Sequence, residues 1–227
     1  MITPSTLVAD YAADGYVVVE SLFTDKECDT LKQEACEVLK NHGAANATVC
    51  VGAAVHSSAF RNLADDPRVI DLLRPLIPEG VMFLSDKIVF KSGENTFATP
   101  WHIDAFYWAG TRPKLSVWIP LDDVSADNGT LKVVRGSHHR EWTSRRGSGE
   151  ETGGEFGNVI TDEVWDAADE VICEIPRGSA VIFSDRLVHG SCTNTASADR
   201  YTIISTYHAP AADESFDEQF PARHVVV

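Results

Sequence analysis

From about residue 81 onwards, the chain consists of short β-rich runs separated by turn signals, and this pattern constrains the fold more than any other feature. The turn signals include Ala126-Asp127-Asn128-Gly129 and Pro176-Arg177-Gly178. Many short strands joined by turns predict a sandwich or a barrel, and a jelly roll is one such solution. The predicted strands are 81–91, 99–105, 115–121, 130–135, 171–175, 179–184 and 201–207.

The first 80 residues have a different, mostly helical pattern with one strand inserted. Residues 4–13 favour a short helix that ends at Gly15, and Tyr16–Val19 is β-rich. Thr24 and Glu27 have the spacing of a capping box, in which each residue hydrogen-bonds the backbone of the other. We therefore expect a long helix to begin directly after Thr24.

A long insertion interrupts the predicted strands at residues 141–170. It is rich in glycine and charge and includes the stretch EWTSRRGSGEETGGEFGN. A long segment without predicted structure inside a compact domain is typical of a lid or a binding loop. We predict a single domain over 1–227, helical in 1–80, with a β core over 81–210 that carries this lid-like insertion.

Composition excludes several classes of partner. The chain has 34 acidic against 19 basic residues and a formal charge of −15, which argues against nucleic acid or an anionic membrane as a partner. No apolar stretch approaches the roughly 20 residues that cross a bilayer, and MITPSTLVAD does not resemble a signal peptide. The five cysteines are irregularly spaced and predict reduced thiols. We expect a cytoplasmic protein that acts on a small molecule; the sequence leaves its oligomeric state open.

The stretch TPWHIDAFYW, residues 99–108, contains a histidine and an aspartate two positions apart. In a strand, alternate side chains face the same side, so His102 and Asp104 would project together. Two histidines and one carboxylate on one face of an octahedral ion leave three positions open, as in non-haem Fe(II) oxygenases. An accidental pair is the alternative, because a chain with eight histidines contains such a spacing easily by chance.

His189, in SDRLVHGSCTNTASADRYTIIS, is the candidate for the second histidine, and a hydrogen-bonded core histidine is its alternative. Arg200 lies eleven residues further on, at the start of the next predicted strand. Its planar guanidinium is the two-pronged donor that a cosubstrate carboxylate needs, although a surface arginine is the alternative. The order of these residues along the chain favours a metal site with a carboxylate-bearing cosubstrate.

On these residues the chain resembles the phytanoyl-CoA dioxygenase-like family of Fe(II)/2-oxoglutarate oxygenases. The matching segments are WHID at 101–104, VWIPLDDVSADNGTLKVVRGSHH at 117–139 and IPRGSAVIFSDRLVHGS at 175–191, together with Arg200. The opening DGYVVVESLFTDKECDTL is also similar to the N-terminal segment of the family. The most specific element is NGTL…GSH, because chance gives no reason for it to follow the H-x-D pair.

The resemblance implies a mainly β fold, a double-stranded β-helix (jelly roll, cupin-like) with N-terminal helices packed on one sheet. It implies that His102, Asp104 and His189 are the catalytic Fe(II) ligands, and that Arg200, helped by Ser191, binds the C5 carboxylate of 2-oxoglutarate. With O2 as the second cosubstrate, such an enzyme hydroxylates an aliphatic C–H bond of a small molecule and releases succinate and CO2; desaturation and cyclisation are open to the same chemistry.

The resemblance and the sequence position add further candidates. Trp118 falls where the family places a pocket-lining aromatic residue. Lys87 lies on the strand before H-x-D, near where relatives contact the cosubstrate, although a solvated lysine is the alternative. His138, in GSHH, is expected to be structural and not a third histidine ligand. The candidates for substrate contact, whose alternatives are core packing and a solvated loop, are Phe106, Tyr107, Trp108, Arg145 and Arg146.

Three other functions are compatible with the fold. A halogenase of this fold commonly has a small residue in place of the carboxylate ligand, so Asp104 argues against it. A non-oxidative, metal-dependent isomerase or epimerase would not need Arg200. A non-catalytic binding member would be expected to have lost a metal ligand or the arginine, and this chain has both.

Overall fold

The structure is a computed structural model that describes residues 3–43, 48–94, 96–108, 111–146, 158–160, 164–210 and 219–227. This part of the chain contains five α-helices and thirteen β-strands. The helices are α1 (Pro4–Asp14), α2 (Asp25–His42), α3 (Ala53–His56), α4 (Ser58–Ala64) and α5 (Pro67–Leu73). The strands are β1 (Tyr16–Val19), β2 (Val49–Val51), β3 (Met82–Lys91), β4 (Thr99–His102), β5 (Lys114–Pro120), β6 (Leu131–Val134), β7 (Ser144–Arg146), β8 (Asn158–Ile160), β9 (Glu170–Ile172), β10 (Ala180–Ser184), β11 (His189–Ser191), β12 (Arg200–His208) and β13 (His224–Val225).

Two antiparallel sheets form the β core. The larger has the strand order β1-β10-β5-β12-β3-β13, and β2 pairs with β3 at its side. The smaller has the order β4-β11-β6-β9, and β7 and β8 form a separate pair. Among the described helices, none combines the length and the apolar character that a membrane span requires. All five cysteines are free thiols.

The larger sheet is covered on both faces. Successive residues of a strand point to opposite sides, so each of its strands contributes side chains to both. On β5, Val117 and Ile119 pack with the helices, which contribute Leu31 and Leu73 to the same core. Trp118, between them, points inward and packs with residues of the smaller sheet. The predicted mainly β fold, with the N-terminal helices packed on one sheet, is confirmed.

The predicted start of the long helix is also confirmed. Thr24 accepts a hydrogen bond from the backbone of Glu27, and the Glu27 carboxylate accepts one from the backbone of Thr24 at 2.8 Å. Arg68, in the first turn of α5, lies 2.8 Å from the carboxylates of both Glu27 and Asp66. Arg68 therefore ties the N-terminus of α2 to that of α5.

Some elements differ from the predicted ones. The strand β2 was not predicted within 1–80, and it packs against β3 over only three residues. The strand predicted over 99–105 ends at His102, and Asp104–Trp108 form a 3-10 helix. His189 lies within a short strand of its own, β11, rather than between two strands.

The insertion at 141–170 contains more structure than expected. Its described parts include the antiparallel pair β7–β8, with Ser144 opposite Ile160, and strand β9 begins at Glu170. Residues 147–157 and 161–163 lie outside the described part of the chain, and most of the predicted lid falls on them. The lid and the single-domain assignment over 1–227 remain predictions.

The Arg68 network predicts a pH-dependent contribution to stability. The hydrogen bonds from Arg68, followed by those from Thr24, lower the pKa of Glu27 to about 2. The stabilisation is therefore present above the ordinary pKa of a glutamate and is lost as the pH falls towards 2. We expect Arg68→Met to cost about 1 kcal/mol of unfolding free energy at pH 6, and less at pH 3, because the pairs are partly exposed.

Urea unfolding of wild type and variant at both pH values measures this difference. The matched control is Arg74→Met, which removes a looser and more exposed pair with Asp71, at 3.7 Å. We expect that variant to change stability by under about 0.5 kcal/mol at either pH. An equal effect of Arg68→Met at pH 6 and pH 3 would contradict the assignment.

Candidate active site

Three buried side chains converge between the two sheets. His102 ends β4 and His189 begins β11, and these two residues are direct cross-strand partners. Their ring centroids are 4.2 Å apart. Asp104 Oδ1 lies 3.7 Å from His102 Nε2 and 3.8 Å from His189 Nε2. The three candidate ligand atoms all lie within 4.8 Å of one another, which allows them to bind one ion.

A tight turn brings the carboxylate beside the first histidine. Alternation along a strand was the expected cause, but the strand ends at His102 and the 3-10 helix begins at Asp104. The backbone N–H of Ala105 donates to the carbonyl of Asp185 at 2.9 Å, which holds this turn against the loop before β11. The expected proximity is therefore present, with a different local cause.

Both imidazoles are oriented by backbone carbonyls. His102 Nδ1 lies 2.9 Å from the carbonyl oxygen of Pro100, and His189 Nδ1 lies 2.9 Å from that of Leu187. Because a carbonyl oxygen only accepts, each Nδ1 donates its hydrogen to the backbone, and each Nε2 is the ring nitrogen that faces the site. Burial, followed by the nearby His102, lowers the pKa of His189 to about 3. Neutral rings of this tautomer are the form that binds metal ions.

The carboxylate is held in its ionised form. Burial opposes ionisation of Asp104, but the interactions with His189, Lys87 and His102 outweigh it and hold the pKa of this carboxyl below its ordinary value. The Ser116 hydroxyl lies 3.4 Å from the second oxygen, Oδ2. Two imidazole nitrogens and one anionic oxygen are a donor set that fits a divalent iron ion.

Arg200 is buried at the opposite end of the same interior. One guanidinium nitrogen donates to Thr202 Oγ1 at 2.5 Å and another donates to the carbonyl of Gly129. Arg200 Nε has no hydrogen-bond partner within the described part of the chain, and no carboxylate there lies within ion-pair distance. A buried guanidinium that lacks an anion fits the carboxylate of a bound cosubstrate.

Gly129 allows this arrangement. It has a φ of +86°, and a Cβ atom there would lie 2.8 Å from Lys91 Cδ and 3.0 Å from the carbonyl oxygen of Cys192. A side chain would therefore displace Lys91 or the backbone after β11. This close packing gives a physical reason for the Asn-Gly-Thr sequence before β6.

One cavity connects the two ends and has a volume of about 640 Å³. A space of this size accommodates a small molecule together with a cosubstrate. Beyond the three candidate ligands and Arg200, the predicted residues that line it are Ser191, Trp118, Lys87, Tyr107 and Trp108.

Phe106 packs against the cluster that contains Trp101 and Ile103 and is not among the residues that line the cavity. This position agrees with the core-packing alternative, and its substrate contact stays a prediction. Arg145 and Arg146 belong to β7, but their side chains lie outside the described part of the structure. Their substrate contact stays a prediction.

The sequence did not predict the burial of Lys91 or the contribution of β2 to the cavity, whereas the structural role of His138 was expected. Lys91 is buried beside Arg200, and its four-residue separation from Lys87 on one strand signals a shared face. The residues of β2 also line the cavity, and nothing in their sequence distinguishes them. His138 Nε2 lies 3.1 Å from the carbonyl oxygen of Ala12, which agrees with a structural role.

Comparison with known proteins identifies the family. The sequence profile of the family described as Phytanoyl-CoA dioxygenase (PhyH) matches residues 11–202. The L-proline trans-4-hydroxylase of Streptomyces griseoviridis is 24% identical over an alignment 226 residues long, gaps included. The alignment covers 87% of this chain and 84% of the relative. This chain belongs to the phytanoyl-CoA dioxygenase family, as the sequence motifs predicted.

Solved structures show the same fold. EvdO2 from Micromonospora carbonacea var. aurantiaca, complexed with 2-oxoglutarate, has a TM-score of 0.78 at 18% identity and covers 95% of each chain. The epimerase SnoN, in complex with Fe3+, alpha ketoglutarate and nogalamycin RO, has a TM-score of 0.72 at 21% identity, covering 90% of this chain and 83% of SnoN. The predicted double-stranded β-helix is confirmed.

Gly190 lies between His189 and Ser191, and a substitution there tests whether metal affinity depends on the close packing of β4 and β11. A Cβ atom at this position would lie 2.7 Å from the carbonyl oxygen of Thr99 and 3.2 Å from that of Pro100, the acceptor for His102. We expect Gly190→Ala to push β4 away from β11 and to weaken Co(II) binding by at least about tenfold, with a stability loss of roughly 1–3 kcal/mol. Titration with Co(II), followed by its visible absorption, measures the affinity.

The control for this variant is Gly136→Ala. Gly136 has a φ of +73°, and apart from its chain neighbours the nearest atom of the described residues to its Cβ position is the carbonyl oxygen of Ala13, at 3.8 Å. We expect it to lose about 1–2 kcal/mol of stability from backbone strain while Co(II) affinity stays unchanged. Equal Co(II) affinities in the two variants would refute a role of Gly190 in forming the metal site.

Proposed function

We propose that this protein is an Fe(II)- and 2-oxoglutarate-dependent dioxygenase that hydroxylates an aliphatic C–H bond of a small molecule. The observation that carries the proposal is the content of one cavity: two imidazoles and a carboxylate at one end, and at the other a buried guanidinium with no carboxylate of the described chain within ion-pair distance. At the level of the family, the comparisons confirm the dioxygenase class and its use of iron and 2-oxoglutarate.

The residues divide into two groups by the part of the site that they would hold. His102, Asp104 and His189 would bind the iron through two nitrogens and one oxygen on the same side. Arg200 and the Ser191 hydroxyl would bind the distal carboxylate of 2-oxoglutarate. When bound, iron and 2-oxoglutarate together activate O2 for hydroxylation, and 2-oxoglutarate leaves as succinate and CO2.

The other lining residues shape the space around the reacting groups. Trp118 is buried and its ring lies 5.9 Å from the Arg200 guanidinium carbon, so it would exclude water from the carboxylate end. Lys87 would place a positive charge beside Asp104, where an anionic group of a ligand can reach it. Tyr107 and Trp108 would form the wall at the iron end, where the substrate enters. We also propose a cytoplasmic location, as predicted from the sequence.

A non-oxidative isomerase or epimerase is less well supported. Such an enzyme needs only a metal acting as a Lewis acid, which leaves the buried Arg200 without a function. The epimerase among the structural relatives was itself solved with alpha ketoglutarate bound, which does not fit a non-oxidative reaction. The hydroxylase among the sequence relatives favours hydroxylation.

The first test is spectroscopic. Anaerobic addition of Fe(II) and 2-oxoglutarate to the protein should produce a visible charge-transfer band, since the keto acid would bind the iron directly. Admission of O2 should then release succinate, slowly without substrate and faster with a true substrate from a small-molecule screen. The absence of the band at saturating Fe(II) and 2-oxoglutarate would overturn the proposal.

Asp104→Ala tests the carboxylate ligand directly. We expect a folded protein that binds Fe(II) poorly and forms no succinate, because an anionic ligand has been removed from the site. The thermal midpoint should stay close to that of wild type, since Asp104 faces the cavity and packs no core cluster. Iron binding, succinate formation and thermal melting are measured on the same preparation.

The matched control is Asp66→Ala. Asp66 is also a hydrogen-bonded carboxylate, but it caps α5 and lies outside the cavity. We expect it to lose about 1 kcal/mol of stability while iron binding and succinate formation stay at the wild-type level. Wild-type turnover in Asp104→Ala would exclude Asp104 as a ligand.

A further inference from the structure

Lys91, the last residue of β3, is fully buried although it carries a charged side chain. Its Nζ donates to the Ser191 hydroxyl and to the carbonyl of Cys192, both at 2.6 Å, and lies 4.7 Å from the centroid of the Phe97 ring. No carboxylate of the described chain lies within ion-pair distance of it. Burying a charge is costly unless an opposite charge compensates it. The protein itself does not supply that charge.

A second buried cation lies beside it. Lys91 is the direct cross-strand partner of Arg200, and both side chains lie beside Gly129: Arg200 donates to its carbonyl, and Lys91 Cδ lies 2.8 Å from where a Cβ atom would be at this position. Burial, followed by the nearby Arg200, lowers the pKa of Lys91 to about 7. Two adjacent buried cations disfavour each other, and an anion bound next to them would relieve this repulsion.

Lys91 also determines the direction of the Ser191 hydroxyl. The oxygen of Ser191 accepts from Lys91 Nζ and from the backbone N–H of Thr99, at 3.1 Å. A hydroxyl oxygen has two lone pairs, and both are then occupied. The single hydrogen of Ser191 must therefore be donated, and within the protein it points at Thr99 Oγ1, 2.7 Å away. Ser191 lines the cavity, so this donor is available to a ligand there.

We propose that Lys91 is a positioning residue for the distal carboxylate of 2-oxoglutarate. It supplies a second positive charge behind Arg200 and fixes the Ser191 hydroxyl as a hydrogen-bond donor toward that carboxylate. Lys91 lies behind the cavity wall and acts through Ser191 and through its charge. The inference rests on the proposed function, because it concerns the carboxylate end of the same site.

The experiment compares two 2-oxo acids on the Fe(II)-loaded protein under anaerobic conditions. 2-Oxoglutarate has a distal carboxylate, and 2-oxobutanoate has the same keto acid without one. We expect Lys91→Met to weaken 2-oxoglutarate binding by at least about tenfold, measured by titration of the charge-transfer band, and to leave the affinity for 2-oxobutanoate unchanged. The apo variant should melt at or above the wild-type temperature, because a desolvated charge has been removed.

The matched control is Lys114→Met, which alters another buried lysine of the larger sheet, on β5. Its Nζ donates to Thr111 Oγ1 at 2.6 Å and to the carbonyl of Arg112 at 2.9 Å, and Lys114 is not among the residues that line the cavity, so we expect both affinities to stay at wild-type values. If Lys91→Met does not fold, Lys91→Gln, which keeps a donor toward Ser191 without the charge, is compared with the same two acids and should show the same selective loss.

Each other outcome overturns the inference. An equal loss for both 2-oxo acids would mean that Lys91 only supports the fold, and unchanged binding of 2-oxoglutarate would mean that the charge is not used. If the wild-type protein forms a charge-transfer band with neither acid, the proposed function fails together with the inference. If the wild-type protein forms the band but the Lys91 variants do not discriminate between the two 2-oxo acids, the inference fails and the proposed function stands.

Discussion

The site depends on the pairing of β4 with β11, which sets His102 directly opposite His189. Gly190 permits the close approach of these strands, because its α-carbon faces the β4 backbone without a side chain. The residues just before the two histidines supply the carbonyls that orient them: Pro100 for His102 and Leu187 for His189. Backbone geometry therefore determines both the separation of the imidazoles and their tautomers, and the metal ligands need few other side chains to hold them.

The interior concentrates cations although the molecule as a whole is acidic. The chain carries a formal charge of −15, yet Lys87 and Arg200 line the cavity beside the carboxylates of Asp86 and Asp104, and Lys91 is buried behind the cavity wall. This follows from strand alternation: inward positions on β3 and β12 carry cations, while their neighbours, such as Ile88 and Ile203, pack against the helices. Net charge indicates solubility and excludes some partners, but it does not describe the potential inside a cavity.

Local patterns made most of the fold and part of the site predictable. The strands β3, β5, β10 and β12, the capping box at Thr24 and the stop at Gly15 follow from periodicity and from residue chemistry within a few positions. His102, Asp104, His189 and Arg200 could be selected because their order along the chain is improbable by chance. The 3-10 turn at Asp104 and the burial of Lys91 could not, since both depend on contacts with distant segments: Asp185 for the turn, and Ser191 and Cys192 for the lysine.

The two ends of the cavity belong to different sheets, and this makes their separation a property of sheet packing. The histidines lie on the smaller sheet, whereas Lys91 and Arg200 lie on the larger one. Ser191 belongs to the same short strand as His189, and its hydrogen bond to Lys91 crosses directly from one sheet to the other. That contact joins the two sheets at the carboxylate end of the cavity. A cosubstrate that spans both ends must match the separation that sheet packing sets, so selection by length and selection by terminal charge would both depend on how the two sheets pack.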